Sequence, residues 1–483
     1  MNIRMTIYIL GILLIFEGGF MAVPTATAAV YHEPELLLFA ILAAALLLSG
    51  IIITRFKPKN KNLFARDGFV IVAVSWLVLS FFGALPFYIS GTIPKFVDAM
   101  FESVSGFTTT GSSVIVAPEG VPQGLLVWRS TSQWIGGLGL ILFVVALLRR
   151  LNEGSARLYE AEFSGTLQRR LHPRMGRSVV LMWMVYVLLT TLLFVLLLSD
   201  GNGFVEALCT AMSTVSTGGF MTHSAGLAGY SDFSLGCITF FMFLSGVNLA
   251  VIYSFLTGRW RVVGRDEEFR RYVLLYIGAV AVCAAAFCVA EGRITMRTVG
   301  FAFFHVASTV STCGFYSATP STWPMLVSVV TFLLVFVGAS AGSTGGGLKI
   351  KRLMILYRHV KNYFTRMLHP HAVLSVKVDG KVVETDYVNK IFSFVFLYMV
   401  FVFVGSFVLT LCGVSIPNAL CMAAANIGNL GPSPIFNNLG ASLDYVALPP
   451  VGKWTMMVLM LAGRLEILAV VSLLMPFYWR RKS

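Results

Sequence analysis

Four short polar loops, each carrying a glycine, recur in the same register along an otherwise apolar chain of 483 residues. An alanine stands twelve positions before each of these glycines, and a serine stands six positions before the first three. The four glycines are Gly111, Gly219, Gly314 and Gly431. They are separated by 108, 95 and 117 residues, so a unit of about a hundred residues is repeated four times. Internal repetition constrains the fold more than any local pattern, because each repeat buries its apolar faces against its neighbours.

The composition is that of a membrane protein. Hydrophobic residues make up 57% of the chain and charged residues only 12%, against about 25% charged in soluble domains. Apolar stretches of about 20 residues, long enough to cross a hydrocarbon core as a helix, recur throughout. We predict about ten spanning helices, at 5–29, 36–54, 69–91, 123–148, 178–199, 233–257, 272–290, 323–341, 391–412 and 454–478. The segments that end in the glycine loops are too short to span, and they lie at 95–109, 203–217, 298–312 and 416–429.

The repeats divide the chain into five parts. Two additional N-terminal membrane helices are predicted, followed by four repeats, with boundaries at 1–66, 67–177, 178–271, 272–386 and 387–483. Each repeat is predicted to contain an outer helix, a short re-entrant helix, a polar loop and an inner helix. Irregular backbone is tolerated at membrane depth only where it is buried in protein or lines water. The predicted fold is therefore an all-α polytopic membrane protein with four parallel repeats around one central pore.

The N-terminal segment allows two interpretations. Arg4, an apolar run and the small residues Ala26 and Ala28 are similar to a cleavable signal peptide. The run from Met5 to Val30 is also long enough to span a membrane. We favour a retained helix, and cleavage within residues 1–28 stays open.

Basic residues are concentrated in alternate connections between the predicted spans. The connections that carry the glycine loops hold almost none, and the clusters lie at 55–66, 149–177, 259–271, 349–390 and 480–482. Connections rich in Lys and Arg stay in the cytoplasm, so both termini are predicted to be cytoplasmic and the glycine loops to face outward. The net charge of +14 is thus explained by topology and by contact with the lipid bilayer. No nucleic-acid partner is predicted.

The glycine loops have the chemistry of a site for a dehydrated cation. A short helix directs the partial negative charge of its C-terminal end at the pore axis. Backbone carbonyls can replace an ion's hydration shell, and glycine permits positive φ angles without a Cβ clash. The loops hold no ring of Asp or Glu, which argues against a divalent-cation site. The predicted ion-binding residues are Thr109, Thr110, Gly111, Ser112, Thr217, Gly218, Gly219, Phe220, Thr312, Cys313, Gly314, Phe315, Asn429, Leu430, Gly431 and Pro432.

The inner helix of the third repeat is interrupted. Residues 336–349 read FVGASAGSTGGGLK, and each glycine in a helix costs about 1 kcal/mol relative to alanine. This pattern predicts a mobile plug below the loops, with gating residues Gly342, Ser343, Thr344, Gly345, Gly346 and Gly347. This stretch is similar to a phosphate-binding loop, but we reject a nucleotide-binding site here. Leu348 separates Gly347 from Lys349, and no Ser or Thr follows the lysine.

Arg464 lies inside the last apolar segment. A charged residue at membrane depth costs at least about 2.5–3.5 kcal/mol on insertion scales, and it is a functional hypothesis by default. We predict that Arg464 contacts the polar plug and places a positive barrier in the path of a cation. The alternative is a structural pair with a carboxylate on another helix, since Glu466 is too close in sequence to share its helix face.

Other polar residues near the loops are assigned lesser roles. Arg129 is predicted to brace a loop or to reach the membrane interface, and Glu102 to brace the first loop. Asp98 and Glu206 occupy the same position in two short helices, where carboxylates suit the N-terminal dipole and can also concentrate cations. His305 is predicted to be packed rather than functional.

Several motifs resemble those of one family. Besides the four loops, the chain carries WRSTSQWIGGLG at 128–139, AGSTGGGLK at 341–349 and GRLE at 463–466. Over nearly its whole length it resembles the membrane subunit of bacterial Trk potassium uptake systems, in the Trk/Ktr/HKT superfamily. Because glycine stands at all four loop positions, the resemblance implies that K⁺ is the transported ion. It also implies that the plug is the family's intramembrane gating loop.

The resemblance further implies a location and partners. The protein is expected in the bacterial inner membrane as a homodimer, regulated by a cytosolic nucleotide-binding subunit of the TrkA type. No bound cofactor is expected, and no enzymatic activity, since the sequence shows no recognisable catalytic constellation. The alternative function is a proton- or sodium-coupled potassium transporter that works by alternating access. Such transporters often carry inverted repeats, so the parallel repeats favour a pore.

Overall fold

The computed structural model describes residues 2–58, 65–139, 175–291, 295–317, 324–372, 374–431, 445–467 and 470–471. This part of the chain is almost entirely helical. The helices are α1 (Ile3–Phe20), α2 (Ala22–Val30), α3 (Glu35–Arg55), α4 (Ala65–Ile89), α5 (Phe96–Phe107), α6 (Gln123–Gly137), α7 (Met175–Ser199), α8 (Phe204–Val215), α9 (Asp232–Ser245), α10 (Leu249–Leu256), α11 (Trp260–Arg265), α12 (Glu267–Glu291), α13 (Met296–Val310), α14 (Met325–Val337), α15 (Ile350–Leu368), α16 (Thr385–Leu411), α17 (Ile416–Ile427) and α18 (Pro450–Arg464). Two short strands, β1 (Lys377–Val378) and β2 (Lys381–Val382), form an antiparallel hairpin between α15 and α16.

Six segments of the described chain are long and apolar enough to cross a membrane, and a bent pair, α9 with α10, makes a seventh. The six cover 3–30, 35–55, 67–89, 179–199, 267–290 and 385–411. They correspond to six of the predicted spanning segments and include the outer helix of every repeat. The remaining predicted spans are the four inner helices, which the structure divides or shortens.

The N-terminal helices pack on the first repeat. Where α1 crosses α3, a Cβ atom on Gly11 would lie 2.6 Å from the side chain of Ile53, so the close crossing requires glycine. Glu33, in the connection between α2 and α3, accepts hydrogen bonds from the N–H groups of Gln123 at 2.5 Å and Gly124 at 2.8 Å. These two amides begin α6 and have no partner within their own helix. Glu33 therefore caps the inner helix of the first repeat.

The short helices occur where the sequence predicts them. They are α5, α8, α13 and α17, which contain 12, 12, 15 and 12 residues. Each lies between an outer helix and an inner helix, in the order α4–α5–α6, α7–α8–α9, α12–α13–α14 and α16–α17–α18. The fourfold repetition seen in the sequence is thus present as a repeated arrangement of helices.

The prediction of one continuous helix at 233–257 is wrong. The chain bends by 110° between α9 and α10, and Asn248 starts the second helix by accepting a hydrogen bond from Ala250 N–H. The amides freed at this break are satisfied by the interrupted segment of the third repeat. Ser340 N–H donates to the Gly246 carbonyl at 3.0 Å, and Leu249 N–H donates to the Gly342 carbonyl at 3.2 Å.

The other inner helices also end early. The predicted helix at 123–148 ends at Gly137, and the predicted helix at 454–478 ends at Arg464. In the third repeat, α14 ends at Val337, as its glycine-rich continuation predicts. Sequence reasoning found only this third break, although a glycine lies beside all four. Residues 140–148, 323, 468–469 and 472–478 of the predicted spans lie outside the described residues.

The buried apolar residues form two large clusters. One joins the N-terminal helices to the first and fourth repeats, and the other is built mainly from the second and third repeats. A third, small cluster holds the hairpin against α15 and α16 through Ile355, Val376, Val378, Val388 and Ile391. The packing therefore brings the last repeat of the chain back against the first.

Candidate functional site

The four short helices end in the same backbone motif. In each, the residue before the loop glycine donates its N–H to the carbonyl five residues earlier. The four bonds run from Thr110 to Ser105 at 2.9 Å, from Gly218 to Ser213 at 2.8 Å, from Cys313 to Ser308 at 2.9 Å and from Leu430 to Ala425 at 2.9 Å. This bond defines a Schellman ending, in which the residue between helix and donor is left-handed.

Glycine usually occupies the left-handed position of this ending, but none of the four repeats has glycine there. The residues are Thr109, Thr217, Thr312 and Asn429, with φ angles between 52° and 61°. The loop glycines, two residues further on, have φ between 71° and 83°. A β-branched residue in this region is an outlier and costs about 1–3 kcal/mol. Three threonines strained at equivalent positions point to a function for these loops.

The loops form a closed ring. A Cβ atom added to Gly111 would collide with the carbonyl oxygen of Gly218, which precedes the second loop glycine. The same contact joins Gly219 to Cys313, Gly314 to Leu430 and Gly431 to Thr110. Each loop thus touches the next loop in sequence, and the fourth touches the first. Every loop glycine packs so close to a neighbouring carbonyl that any side chain would force the ring apart.

Side-chain oxygens below the loop glycines have different surroundings in different repeats. Thr312 Oγ1 accepts a hydrogen bond from Gly346 N–H at 2.8 Å. The Asn429 amide nitrogen donates to Thr110 Oγ1 and to the Met460 carbonyl, both at 3.0 Å. Its oxygen, Asn429 Oδ1, is buried and accepts no hydrogen bond within the described chain. A buried oxygen left in this way is available to a cation.

A buried ion pair supports the first two loops. The Arg129 and Glu102 side chains are 3% and 0% exposed and lie 2.8 Å apart. Glu102 also accepts from the hydroxyl of Ser113 at 2.9 Å and from Val114 N–H at 2.9 Å, just beyond the first loop. The Arg129 guanidinium lies 4.1 Å from the ring centre of Phe220, in the second loop. Both residues therefore brace loops, in agreement with the bracing interpretation of each.

Gln133, which sequence reasoning did not single out, supports the second loop. Its amide nitrogen donates to the Gly218 carbonyl at 2.6 Å, and its oxygen accepts from Ser213 at 2.8 Å. Its only signal in the sequence is its place in the motif at 128–139.

Asp98 is held in an ion pair. The Nζ of Lys453, in α18, lies 2.7 Å from its carboxylate, and the two side chains are only 4% and 16% exposed. Asp98 therefore joins the fourth repeat to the first, so its negative charge is largely neutralised. The expectation that it concentrates cations loses its support. Lys453 was missed because a lysine near the end of an apolar helix ordinarily reaches the interface.

A second polar cluster lies on the connections beyond the loops. His223 is 3.4 Å from the Glu206 carboxylate and 3.9 Å from that of Glu119. The Ser224 hydroxyl and N–H donate to Glu119 at 2.7 and 2.6 Å. These hydrogen bonds stabilise the charged form and lower the pKa of Glu119 to about 2. The cluster links the connections of the first two repeats.

The plug is in direct contact with the ring. It is the segment between α14 and α15, and it is held by polar contacts to the other repeats. The Thr344 hydroxyl donates to the carbonyls of Val215 and Ser245, at 3.1 and 3.2 Å. Together with the bond from Gly346 to Thr312, these contacts tie the plug to the second and third repeats.

Arg464 joins the plug to two further repeats. Its Nη1 donates to the Thr344 carbonyl at 2.9 Å, and its Nη2 donates to the carbonyls of Gly136 and Gly137 at 2.6 and 2.7 Å. The predicted contact between Arg464 and the plug is thus present. The early end of α6 frees the two glycine carbonyls that receive the guanidinium.

A cavity of about 40 Å³ lies beside the plug. It is lined by Gly137, Leu138, Gly139, Ser343, Gly345, Gly346, Gly347, Lys349, Arg352, Asn429, Gly463, Arg464 and Glu466. Arg352 and Glu466 form an ion pair with Nη2 2.6 and 2.5 Å from the two carboxylate oxygens. Arg352 was not singled out from the sequence, and Glu466 was considered only as a partner of Arg464. Three basic side chains and one carboxylate therefore line this cavity.

The structure brings the predicted residues together in two groups. The four loops meet in the ring, and the segment predicted to form the gate meets Arg464 through Thr344. Pro432, the last residue predicted to bind the ion, lies outside the described residues. His305 is buried and packs against Phe304, with ring centres 5.2 Å apart.

These features define a class: a multi-pass, almost entirely helical membrane protein built around a closed ring of four backbone loops. A family model described as TrkH, cation transport protein, matches residues 37–480. The chain therefore belongs to the TrkH family, which is a family of cation transport proteins and not of enzymes.

Individual relatives are similar to this chain over its full length. The chain is 32% identical to the Trk system potassium uptake protein TrkH of Salmonella typhimurium, over 99% of this chain and 100% of that protein. It is also 32% identical to TrkG of Escherichia coli, another Trk system potassium uptake protein, over 99% of both chains. The crystal structure of the potassium transporter TrkH from Vibrio parahaemolyticus matches with a TM-score of 0.87 and 30% identity, over 99% of this chain and 100% of that one.

Proposed function

We propose that this protein conducts K⁺ into the cell through the ring of four loops. The observation that carries the proposal is the closed ring, in which four Schellman-ended helices meet and each loop glycine packs against a carbonyl of the next loop. The names of the relatives, which are potassium uptake proteins or a potassium transporter, support the same ion.

The proposed selectivity filter consists of the loop residues predicted from the sequence. Their carbonyl groups replace the water that K⁺ loses, and the negative ends of the four short helices favour a cation over an anion. Asn429 Oδ1 adds a side-chain oxygen below the ring, since it is buried without a hydrogen-bond donor in the described chain. The membrane potential drives inward flow with about 2.3 kcal/mol per charge per 100 mV.

The proposed gate consists of the plug residues 342–347 together with Arg464. The plug is bound by the guanidinium through Thr344, and in this proposal it closes the path below the ring. A positive charge at this point opposes the passage of a cation, and the effect is strong because the surroundings are of low dielectric constant. Opening requires the plug to leave Arg464.

We also propose the location and partners that the family resemblance implies. The protein lies in the bacterial inner membrane with both termini in the cytoplasm, where connections rich in Lys and Arg belong. It acts as a homodimer under the control of a cytosolic nucleotide-binding subunit of the TrkA type. It holds no cofactor of its own, and K⁺ is its substrate.

The test is the flux of K⁺ and Rb⁺ into proteoliposomes that contain this protein alone. Downhill flux without a proton or sodium gradient is expected, and Arg464→Ala is expected to increase it about tenfold, because a charge-assisted bond to the plug is lost. Arg261→Ala, which removes an exposed arginine of α11 outside the filter and the plug, is the control. A strict requirement for a proton or sodium gradient would overturn the pore and support the coupled transporter.

A further inference from the structure

Glu268 is a buried carboxylate that the proposed filter and gate do not use. It lies in the first turn of α12, the outer helix of the third repeat, and is only 4% exposed. Its Oε1 accepts a hydrogen bond from the backbone N–H of Ala341 at 2.6 Å. Ala341 directly precedes the glycines and hydroxyl residues of the plug. A buried charge at the start of an outer helix therefore holds the start of the plug.

Glu268 and Arg464 hold the plug in complementary ways. The carboxylate binds an N–H group at Ala341, and the guanidinium binds a carbonyl group three residues later at Thr344. Hydrogen bonds to charged partners are about twice as strong as those between neutral groups. The other contacts of the plug described above are between neutral groups. These two charged residues, on α12 and α18, therefore restrain the plug more strongly than its neutral contacts do.

Burial disfavours the charged form of Glu268, and basic side chains nearby offset part of this cost. Lys349 and Lys351, at the end of the plug and the start of α15, interact with it electrostatically, as does the acidic Asp266 with the opposite sign. The carboxylate therefore interacts with residues near both ends of the plug, Ala341 and Lys349.

The neighbouring Glu267 makes different contacts. Its carboxylate pairs with Arg358 of α15 at 2.6 Å, where both side chains are about 30% exposed, and its N–H donates to Asp379 of the hairpin at 3.0 Å. Both glutamates lie in the first turn of α12, and both suit the N-terminal dipole. Only Glu268 is bonded to the plug. Substitution of Glu267 therefore serves as a control that distinguishes a role of Glu268 in the gate from a general role in helix stability.

We propose that Glu268 is a positioning residue of the gate, which fixes Ala341 and so keeps the plug in its closed place. The proposal rests on the proposed function, since it requires that the plug closes the path. Loss of the carboxylate weakens the closed arrangement and leaves the filter unchanged.

The test is Rb⁺ flux into proteoliposomes for Glu268→Ala, Glu268→Gln and the control Glu267→Ala. Glu268→Ala is expected to raise flux about tenfold, and Glu268→Gln about threefold, because the amide oxygen still accepts from Ala341 as a neutral group. Glu267→Ala is expected to change flux less than twofold. A purely structural role would lower flux or yield and would not raise flux.

Combination with Arg464→Ala separates the two proposals. If both residues hold the same closed plug, the increase in flux in the double variant is larger than either single increase but smaller than the product of the two. A rise with Arg464→Ala but none with either Glu268 variant would overturn the role of Glu268 and leave the gate standing. No rise with any variant would overturn the gate itself. If Glu268→Ala does not fold, as judged by size exclusion, the Glu268→Gln flux decides.

Discussion

The left-handed threonines show how individual residues are selected against their own preference. A threonine at positive φ is strained, yet Thr109, Thr217 and Thr312 occupy this conformation at equivalent points. Glycine would remove the strain but also the side-chain oxygen, and Thr312 uses its oxygen to bind the plug. We infer that the left-handed turn directs the chain from helix into ring, and that the strained threonines are retained there for their side-chain oxygen.

At the loop glycines, in contrast to the threonine positions, there is no room for a side chain. Gly314→Ala places a Cβ atom against the Leu430 carbonyl at φ 81°, so the third and fourth loops must separate. We expect Rb⁺ flux to fall by about fivefold to 100-fold, because the strain is about 1–3 kcal/mol and each 1.4 kcal/mol is tenfold.

The control for this prediction is Gly300→Ala, four positions into α13. A Cβ atom there meets nothing within 4 Å, and alanine favours the helix. Equal flux in wild type and Gly314→Ala would show that the ring tolerates a side chain and does not determine conduction.

Among the elements, α6 depends on a cap supplied from outside its repeat. Glu33 binds the first amides of α6, and removal of a capping side chain costs about 0.5–2 kcal/mol. Glu33→Ala is expected to lower the unfolding temperature in detergent, whereas Glu33→Gln, which keeps an acceptor, is expected to lower it less. An unchanged unfolding temperature in Glu33→Ala would mean that other groups satisfy these amides.

The elements that the sequence predicted correctly are those marked by apolar length or by internal repetition. The outer helices were found because length and apolar composition suffice for a spanning helix. The short helices and loops were found because the repeats place equivalent residues in register, such as Ala99 and Gly111.

The breaks in the inner helices were mostly missed, because a single glycine such as Gly246 is tolerated in a helix and gives little warning. What breaks α9 from α10 is contact with the plug, about a hundred residues later in the chain. The pairing of Arg352 with Glu466 and of Lys453 with Asp98 has the same cause. Such pairs are fixed only when distant repeats meet, and no local pattern records them.

In the whole molecule, the junction between the fourth and first repeats closes the ring. The ion pair of Lys453 with Asp98 crosses this junction. Removal of one partner of a buried pair costs about 3–5 kcal/mol, since the other charge is left buried. Lys453→Met is therefore expected to lower the unfolding temperature strongly.

Two variants test the reason for this loss. Lys453→Met combined with Asp98→Leu is expected to recover at least half of it, because no charge then remains buried. Arg358→Met, which breaks a pair about 30% exposed, is expected to cost less, since exposed pairs contribute about 0–1 kcal/mol. A double variant no better than Lys453→Met would show that packing, and not charge, holds the junction.

The closure of the ring within one chain has a genetic consequence. In a pore made from four identical subunits, one altered codon changes all four quadrants together. Here a single codon reaches one quadrant only, as the loops with Thr312 and Asn429 at the same position already illustrate. One repeat can thus acquire a plug and another an arginine, while the other two repeats keep loops that let the ion pass. Because each repeat is encoded separately, such a pore can become asymmetric one substitution at a time.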